Sequence, residues 1–396
     1  MNILQLTSYP TGKPQHGGQI RSSNIAAALR DAGHKVKCVA VFVDRYYGAD
    51  SADDIPFGLE SSLWREDQQN LSDYLSGLFA VQDSEAFARL DKVADEFAPD
   101  VIISEQPWMM GAARKLASTR PGVSCVYSSQ NVEFRLKEAV LKAERLPDEQ
   151  VRKLVDAIRD LEFDAVAEAD LVIACTEADA AFYRQALPDS RPAIVAGNGV
   201  ERFSCSAGRV EQWRNYIGQS YPIFVSSAHP PNAQGFWDML APGLTFLRPE
   251  EPMLIAGGVS DILLNMPGIK PFEMVNRSRI RLLGRMEQRE LQAVISASHV
   301  VLLPITQGEG SNLKTAEALE SGCPIVGTSK AFRGFEQAVS LPHVRIADDP
   351  DSFRSAVRSV LDSPRYDGGT DFELRSQFHW PHLLAKAVEA IGQLKP

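Results

Sequence analysis

Short apolar runs alternate with amphipathic stretches along the whole chain. The runs are rich in β-branched residues and hold apolar residues at consecutive positions, which is typical of parallel strands covered on both faces. The stretches between them suit crossover helices, so the pattern predicts a doubly wound α/β fold. The predicted strands are residues 2–9, 35–43, 100–106, 123–130, 171–177, 193–200, 221–228, 252–259, 280–286, 299–305, 323–329 and 343–349.

The alternation is interrupted near residue 210 by glycines and polar residues. A chain of 396 residues is also longer than one hydrophobic core usually organises. We therefore predict two Rossmann-like domains, residues 1–205 and 206–375. Residues 376–396 would form a final helix, bent or restarted at Trp380 and Pro381 because proline lacks a backbone N–H.

The composition disfavours nucleic acid as a partner, a disulfide framework and a membrane span. A formal net charge of −10 disfavours binding to nucleic acid, which depends on a basic surface. The five cysteines show no CxxC spacing, and their odd number argues against a disulfide framework. No apolar run is long enough to cross a bilayer and the N-terminus lacks signal-peptide features, so a cytoplasmic location is predicted.

A first candidate ligand site follows the first predicted strand. A loop there carries Gly17 and Gly18, and an amphipathic helix is predicted from about Gln19. Glycines let backbone amides approach a phosphate or a sugar oxygen, and a helix start adds unpaired N–H groups. The alternative is a loop whose glycines serve only its turns. The spacing is not the GxGxxG fingerprint of dinucleotide-binding proteins.

A second candidate site follows the strand at 299–305. Gly308 and Gly310 form a turn, and Ser311 or Asn312 can cap the next helix. Lys314 lies on the first helical turn, with Glu317 three residues further on.

This arrangement suits a nucleotide sugar. Helix amides and Lys314 would hold a diphosphate, Glu317 would accept two hydrogen bonds from ribose hydroxyls, and Glu309 on the loop would reach the sugar. The alternative is that Glu317 and Lys314 are a surface ion pair of about 0.3 kcal/mol.

The spacing of Glu309 and Glu317 within residues 308–328 resembles the E-x7-E signature of retaining glycosyltransferases with the GT-B fold, family 4. Further phrases follow in the family's order: "SSQNVE" (128–133), "ADLVIACTEADAAFY" (169–183), "GNGVERF" (197–203), "MLIAGGV" (253–259) and the segment 281–304. The resemblance implies two doubly wound domains that face each other across a cleft, with the C-terminal helix crossing back to the N-domain.

The resemblance also implies roles for individual residues. Glu309 would contact the donor sugar, Glu317 the ribose, and Lys314 the diphosphate. The loop at Gly17 and Gly18 would lean toward the same phosphates. The amides of Gly310, Ser311, Asn312 and Leu313 would complete the anion site. Arg285 would lie near the base; the alternative is that it is a surface arginine at the end of a strand.

The sequence departs from the family's pattern at two places. Residues 226–235 lack the arginine and lysine that clamp the diphosphate in many members, so His229 or Asn232 would substitute for them. Gln130 stands where many relatives have a histidine near the reaction centre. We predict Gln130, with Glu309 and Lys314, as catalytic, and Asn131, Glu133 and His16 as further polar contacts.

The reaction implied is transfer of a sugar from a nucleoside diphosphate to a hydroxyl of a glycan, lipid-linked or small-molecule acceptor, with retention at the anomeric carbon. No metal and no other cofactor are expected, and no enzymic base is evident. A basic amphipathic helix at 131–150, with Arg135, Lys137, Lys142 and Arg145, suggests weak contact with a membrane that carries the acceptor.

Three other functions remain open at this stage. The first is a nucleotide-sugar epimerase of related fold, which needs acid/base groups at C2 of the sugar. The second is a noncatalytic nucleotide-sugar binding protein, favoured by the missing cationic pair and histidine. The third is a nicotinamide oxidoreductase, disfavoured because no strand is followed by a GxGxxG turn.

Overall fold

The computed structural model describes residues 1–58, 60–63, 70–143, 146–187, 193–218, 220–308, 310–366 and 372–394. The chain forms two compact units, one of Met1–Gly197 with Leu383–Pro396 and one of Asn198–His382. The sequence analysis placed these divisions near residues 205 and 375. Each unit is built on one parallel sheet.

The sheet of the first unit has its strands in the order β3-β2-β1-β4-β5-β6-β7, all parallel. The chain winds outward from β1 in one direction and then from β4 in the other, so the strand order reverses between these two strands. The strands are β1 (Asn2–Thr7), β2 (Lys35–Val43), β3 (Ile55–Phe57), β4 (Val101–Glu105), β5 (Ser124–Ser128), β6 (Leu171–Ala174) and β7 (Ala193–Val195).

Helices cover the sheet of the first unit. They are α1 (Gly17–Asp31), α2 (Ser72–Gln82), α3 (Ser84–Phe97), α4 (Met110–Ser118), α5 (Glu133–Ala143), α6 (Asp148–Glu168) and α7 (Glu177–Ala186), with a 3-10 turn at Pro107–Met109. Most of the final helix, α15 (Trp380–Gly392), belongs to this unit as well. The buried core includes Leu6, Val41, Trp108 and Tyr127.

The second unit repeats the design with six parallel strands in the order β10-β9-β8-β11-β12-β13, which reverses between β8 and β11. The strands are β8 (Pro222–Val225), β9 (Met253–Ala256), β10 (Ile280–Gly284), β11 (Val300–Leu303), β12 (Ile325–Gly327) and β13 (Val344–Ile346).

The helices of the second unit are α8 (Ala207–Ile217), α9 (Pro230–Met239), α10 (Glu273–Arg279), α11 (Gln288–Ala297), α12 (Leu313–Ser321), α13 (Pro350–Leu361) and α14 (Phe372–Ser376). Its 3-10 turns are Leu244–Phe246, Gly258–Asp261, Leu263–Asn265, Pro267–Ile269, Ser329–Phe332 and Glu336–Ser340. Phe224, Phe236 and Phe353 lie in its buried core.

Every predicted strand exists, but β3 was missed. Its sequence, Ile-Pro-Phe, is three residues long and has Pro56 at its centre. β3 pairs only with β2, at the edge of the sheet. Proline is tolerated there because its missing N–H falls on the unpaired side, although in sequence it argues against a strand.

Three of the basic residues predicted to form a face at 131–150 contact other side chains of the first unit. Lys137 is only 8% exposed, and its Nζ donates to both carboxylate oxygens of Asp73 at 2.7 and 2.8 Å. The Arg135 guanidinium lies 4.0 Å from the centre of the Phe182 ring, and Lys142 pairs with Glu138. Arg145 lies outside the described residues. The expectation of four surface cations is therefore wrong for Lys137, which is buried and held by the partly exposed carboxylate of Asp73.

Candidate functional site

The candidate site of the second unit lies where its strand order reverses. In open parallel sheets, ligands bind beyond the carboxyl ends of the two strands at this reversal, because the loops there diverge and leave a crevice. These strands are β8 and β11. Residues 226–229 lead from β8 into α9, and residues 304–312 lead from β11 into α12.

The backbone of the loop after β11 depends on glycine. Gly308 and Gly310 have φ values of 116° and 66°, a region that residues with a Cβ avoid. Asn312 then caps α12, its side chain accepting from the Lys314 N–H at 3.2 Å, so of the two predicted caps Asn312 is the one used. The amide of Leu313, at the first helical position, has no partner within its helix. Glu309 lies outside the described residues.

Arg333 holds this loop from the opposite side. Its guanidinium donates to the carbonyl oxygen of Gly308 at 2.6 Å and to that of Gly310. Both bonds use carbonyl groups, so they fix the loop without occupying its N–H groups. No sequence pattern indicates this role, because Arg333 follows β12 and reaches the loop only through the fold.

Hydrogen bonds of Lys314 and Asn232 connect the start of α12 to the loop that precedes α9. The Lys314 Nζ donates to Asn232 Oδ1 at 2.8 Å, and Asn232 Nδ2 donates to the backbone and hydroxyl oxygens of Ser227 at 3.3 and 3.1 Å. Burial, together with the Lys314 charge, lowers the pKa of His229. Asn232, one of the two residues expected to replace the missing cationic pair, therefore contacts Lys314 directly.

Glu317 lies one turn further along α12 and is only partly exposed. Among the residues that the structure describes, no ion pair joins it to Lys314, whose ammonium turns to Asn232 instead. Burial raises the pKa of Glu317 to about 7, against the opposing effect of the Lys314 charge. Burial also lowers the pKa of Lys314 to about 8. The surface ion pair considered from sequence is thus not formed, and two half-desolvated charges remain.

These pKa shifts predict how stability depends on pH. Between pH 4.5 and about 7 the folded protein keeps a proton on Glu317 that the unfolded chain has lost, so stability falls as pH rises. Between about 8 and 10.5 the unfolded chain keeps a proton that folded Lys314 has lost, so stability rises with pH. Glu317→Gln should remove the first effect, which we expect to be on the order of 1 kcal/mol in this partly exposed setting.

The measurement is thermal unfolding of the wild type and Glu317→Gln from pH 5 to 7 at fixed ionic strength. The Tm of the variant should rise relative to the wild type across this range. Parallel curves would show that folding does not perturb the Glu317 carboxyl.

Arg285 lies at the same edge of the sheet, directly after β10. Its side chain is 73% exposed, and Nη2 lies 3.3 Å from Asp261 Oδ2. A Cβ added to Gly258 would lie 3.0 Å from the same Nη2 and 3.0 Å from the Ala228 amide nitrogen. Arg285 therefore lies near the ends of β9 and β8. Its role near the base stays a prediction.

In the first unit, the residues predicted after β1 lie in a helix. Gly17 and Gly18 form the first turn of α1, not the preceding loop, because His16 is the cap and its ring accepts from the Gln19 N–H at 3.5 Å. The predicted helix start at Gln19 was therefore two residues late. Gly18 lies where the strand order of the first unit reverses, between β1 and β4. This position is equivalent to that of the candidate site in the second unit, between β8 and β11.

The structure brings Gly18 and Gln130 together. Gln130 Nε2 donates to the Tyr9 hydroxyl at 2.6 Å and to the Gly18 carbonyl oxygen at 3.5 Å. It also lies 3.4 Å from Glu105 Oε2. Gln130 is 8% exposed, so its amide is fixed by these contacts.

Gly18→Ala should destabilise the protein. A Cβ at this position would lie 2.6 Å from Gln130 Oε1 and 2.8 Å from the Tyr9 hydroxyl, so both buried groups must move. We expect a loss of about 1–3 kcal/mol, in spite of the better helix propensity of alanine. Gly208 is the matched control, because it is also the second residue of a helix and a Cβ there meets no atom within 4 Å.

Gly208→Ala should leave stability unchanged or raise it by up to about 1 kcal/mol. Urea unfolding of the three proteins gives the comparison. Equal effects of the two substitutions would show that Gly18 is not required for the packing of Gln130.

The sequence analysis missed Glu105 and Arg21 behind Gln130. Glu105 is fully buried at the end of β4 and accepts from Gln5 Nε2 at 2.8 Å. Burial raises the pKa of the Glu105 carboxyl, and the charge of Arg21 opposes this shift. A charged residue at the end of an otherwise apolar run was the only sequence signal.

The predicted polar contacts Glu133, Asn131 and His16 differ in their exposure. Glu133 is fully buried, and its Oε1 accepts from Asn131 Nδ2 at 3.1 Å and from Gln106 Nε2 at 3.3 Å. Burial raises the pKa of Glu133 to about 8. Glu133 therefore supports this edge of the sheet from inside, whereas Asn131 is partly exposed. His16 is exposed, with its Nε2 3.3 Å from the Tyr47 hydroxyl.

Within the described part of the chain, no cluster of three or more histidine, cysteine, aspartate or glutamate side chains could hold a metal ion. None of the described helices combines the length and apolar character needed to span a bilayer.

Several solved structures share the fold of this chain. The chain is similar to sucrose-phosphate synthase from Thermosynechococcus elongatus, with 15% identity, a TM-score of 0.72 and coverage of 99% of this chain and 98% of that one. It is similar to Anabaena HepE in complex with UDP-glucose, at 17% identity and a TM-score of 0.64, covering 99% of both chains. A third similar structure is described as "Trehalose-6-phosphate from E. coli bound with UDP-2-fluoro glucose". Its chain is 12% identical with a TM-score of 0.65, and 99% of both chains are covered. The predicted GT-B fold of two Rossmann-like units is confirmed.

Two family models match the chain, one in each unit. Residues 16–199 match the Glycosyl transferase 4-like domain, and residues 223–363 match Glycosyl transferases group 1. The chain therefore contains a glycosyl transferase 4-like domain followed by a glycosyl transferases group 1 domain. The comparison with curated proteins found no match.

Proposed function

We propose that the protein is a retaining glycosyltransferase of family 4, which transfers a sugar from a nucleoside diphosphate to an acceptor hydroxyl without a metal ion. The observation that carries the proposal is the hydrogen bond from Lys314 to Asn232 across the strand reversal, with Glu317 one turn away. In this proposal the acceptor is a hydroxyl of a glycan, a lipid-linked sugar or a small molecule.

The diphosphate is placed against the start of α12. The Leu313 amide and the Lys314 ammonium supply positive charge where the leaving diphosphate becomes more negative, which stabilises the transition state more than the bound donor. Burial lowers the pKa of Lys314 to about 8, because the nearby Glu317 carboxylate supplies too little counter-charge to offset desolvation of the ammonium. A bound diphosphate supplies that charge, raises the pKa of Lys314 and keeps it cationic during the reaction.

Glu317 is assigned to the ribose and Glu309 to the donor sugar. A carboxylate accepts one O–H on each oxygen, which matches the two neighbouring hydroxyls of a ribose. Glu317 is close enough to Lys314 for both to contact one nucleotide, since they lie three residues apart on one helix. Arg285 is assigned to the base end of the same nucleotide. Gln130 is assigned to the reaction centre in place of the family's histidine.

The donor can be identified by thermal unfolding with UDP, GDP, ADP and dTDP sugars. UDP-glucose is the first probe, because UDP or UDP-glucose is present in the structures of HepE. A donor at 100 times its Kd should stabilise the protein by about 2.7 kcal/mol, and EDTA should change neither this shift nor the rate of donor turnover. Loss of both in EDTA would contradict the metal-independent mechanism.

Product analysis then separates the candidate activities. NMR of the product should show the anomeric configuration of the donor retained in the new glycosidic bond. Isomerised donor sugar without an acceptor would instead identify an epimerase. Binding with neither reaction would identify a noncatalytic nucleotide-sugar binding protein.

A further inference from the structure

The first unit contains a cavity that the proposed donor site does not use. It has a volume of about 350 Å³ and lies among α1, β2 and the loop that precedes β3. This volume is within the range of small-molecule sites. The polar side chains that line the cavity are Thr7, Thr11, Ser23, Arg30, Cys38, Asp50, Ser51 and Asp54.

The wall formed by the loop is fixed by hydrogen bonds to two neighbouring segments. Asp54 is 5% exposed and accepts from the backbone N–H groups of Ala40, Asp50 and Ser51 at 3.0, 2.8 and 3.0 Å. Asp50 Oδ2 accepts from the Gly12 N–H at 2.5 Å. The loop is thereby tied both to β2 and to the segment after β1, so the cavity is preformed.

The lining combines donors and acceptors without an excess of positive charge. Arg30 Nη2 donates to the Val36 carbonyl oxygen at 3.2 Å and contacts Cys38 Sγ at 3.5 Å, and a guanidinium has five N–H donors in all. Asp50 is a carboxylate, and the hydroxyls of Thr11 and Ser23 can donate or accept. Two aspartates against one arginine disfavour an anion.

A neutral ring with neighbouring hydroxyls satisfies this lining. A carboxylate accepts from two adjacent O–H groups, a guanidinium donates to hydroxyl oxygens, and the small side chains of Pro10, Ala26 and Ala40 leave room for the apolar face of a ring. We propose that this cavity is a second ligand site, which binds one neutral saccharide ring. The class of ligand follows from the lining, and its part in sugar transfer rests on the proposed function.

The cavity is also connected to Gln130. The Cys38 thiol donates to Gln5 Oε1 at 3.1 Å, and Gln5 Nε2 donates to Glu105 Oε1 at 2.8 Å. The other carboxylate oxygen of Glu105 lies 3.4 Å from Gln130 Nε2. A saccharide in the cavity would contact one end of this hydrogen-bonded series, whose other end is the predicted catalytic residue.

Cys38 provides a direct test in the wild-type protein. The full chain is alkylated with iodoacetamide at alkaline pH, with D-glucose, D-galactose or N-acetyl-D-glucosamine at up to about 100 mM, and each cysteine peptide is followed by mass spectrometry. At least one sugar should slow alkylation of Cys38 fivefold or more. Cys205, which is partly exposed and lies in the second unit, should react at an unchanged rate. Equal Cys38 rates with every sugar would overturn the proposal, as would protection by sodium sulfate alone.

A matched pair of variants tests recognition separately from folding. Asp50→Asn keeps an acceptor for the Gly12 N–H but removes the charge, and should raise the Kd of the protecting sugar at least about tenfold. Asp53→Asn is the control, because Asp53 lies in the same loop but pairs with Lys37 and does not line the cavity. Equal losses in the two variants would show that the loop, not a bound saccharide, requires these charges, and would overturn the proposal.

Two sources of the saccharide can be distinguished once the donor is known. If the cavity holds part of the acceptor, the protecting sugar appears in the transfer product. If it holds a free effector, the sugar changes the rate of donor turnover and is not incorporated. Cys38 protection without any nucleotide-induced thermal shift would discard the proposed donor site and keep the cavity, whereas the reverse result would discard the cavity alone.

Discussion

Lys314→Ala should lower the rate of donor turnover by about 100- to 1000-fold, while the protein remains folded. The expected size is that of removing one preorganised donor from a site where negative charge develops. Lys314 is placed for this by the Asn312 cap of α12 and by its 2.8 Å hydrogen bond to Asn232. Desolvation lowers the pKa of its ammonium, so alanine removes a partly desolvated charge whose loss does not harm folding.

The measurement is the steady-state rate of nucleoside diphosphate release from the identified donor, with thermal unfolding of the same samples. Lys270→Ala is the control, because Lys270 is an exposed lysine of the same unit that pairs only with Glu273 among its described neighbours. Its rate should match that of the wild type. A folded Lys314→Ala protein with a near wild-type rate would remove Lys314 from the diphosphate site.

Glu317→Gln should weaken binding of the nucleotide about 10- to 100-fold. The reason is that the Glu317 carboxylate would accept hydrogen bonds from two ribose hydroxyls with the help of its charge, which glutamine lacks. A hydrogen bond to a charged group contributes about 1.5–3 kcal/mol. Glutamine keeps the size of the side chain, and Glu317 has no ion pair with Lys314 to lose. The variant should therefore fold normally, and above pH 7 it should be more stable than the wild type because the buried charge is gone.

Ribose recognition can be isolated with a second comparison. Calorimetry with UDP and 2′-deoxy-UDP, or the equivalent pair for the identified base, gives the contribution of one hydroxyl to binding. The deoxy nucleotide should bind the wild type about tenfold more weakly than the ribonucleotide, and the difference should nearly vanish in Glu317→Gln. An undiminished difference would place the ribose elsewhere. Glu273→Gln, on the exposed surface of the same unit, should change neither affinity.

Most of the fold was predictable because buried parallel strands leave a local record. β6 and β11 consist entirely of buried apolar residues, so their apolar runs are continuous in the sequence. The start of α12 was predictable for a similar reason, since Asn312 follows two glycines and precedes a helical pattern. β3 was missed because its pairing to β2, not its own residues, makes it a strand.

The sequence by itself determined the two α/β units, the glycine turn with its cap, and the presence of Lys314 and Glu317 on one helix. These features depend on neighbours within a few residues of each other. The tertiary structure decided where the charges go: Lys314 turned to Asn232, Lys137 to Asp73, and Arg333 to the glycine loop. Each partner is distant in the chain, and a long cationic side chain pairs with the acceptor that the fold brings within reach, which no local pattern records.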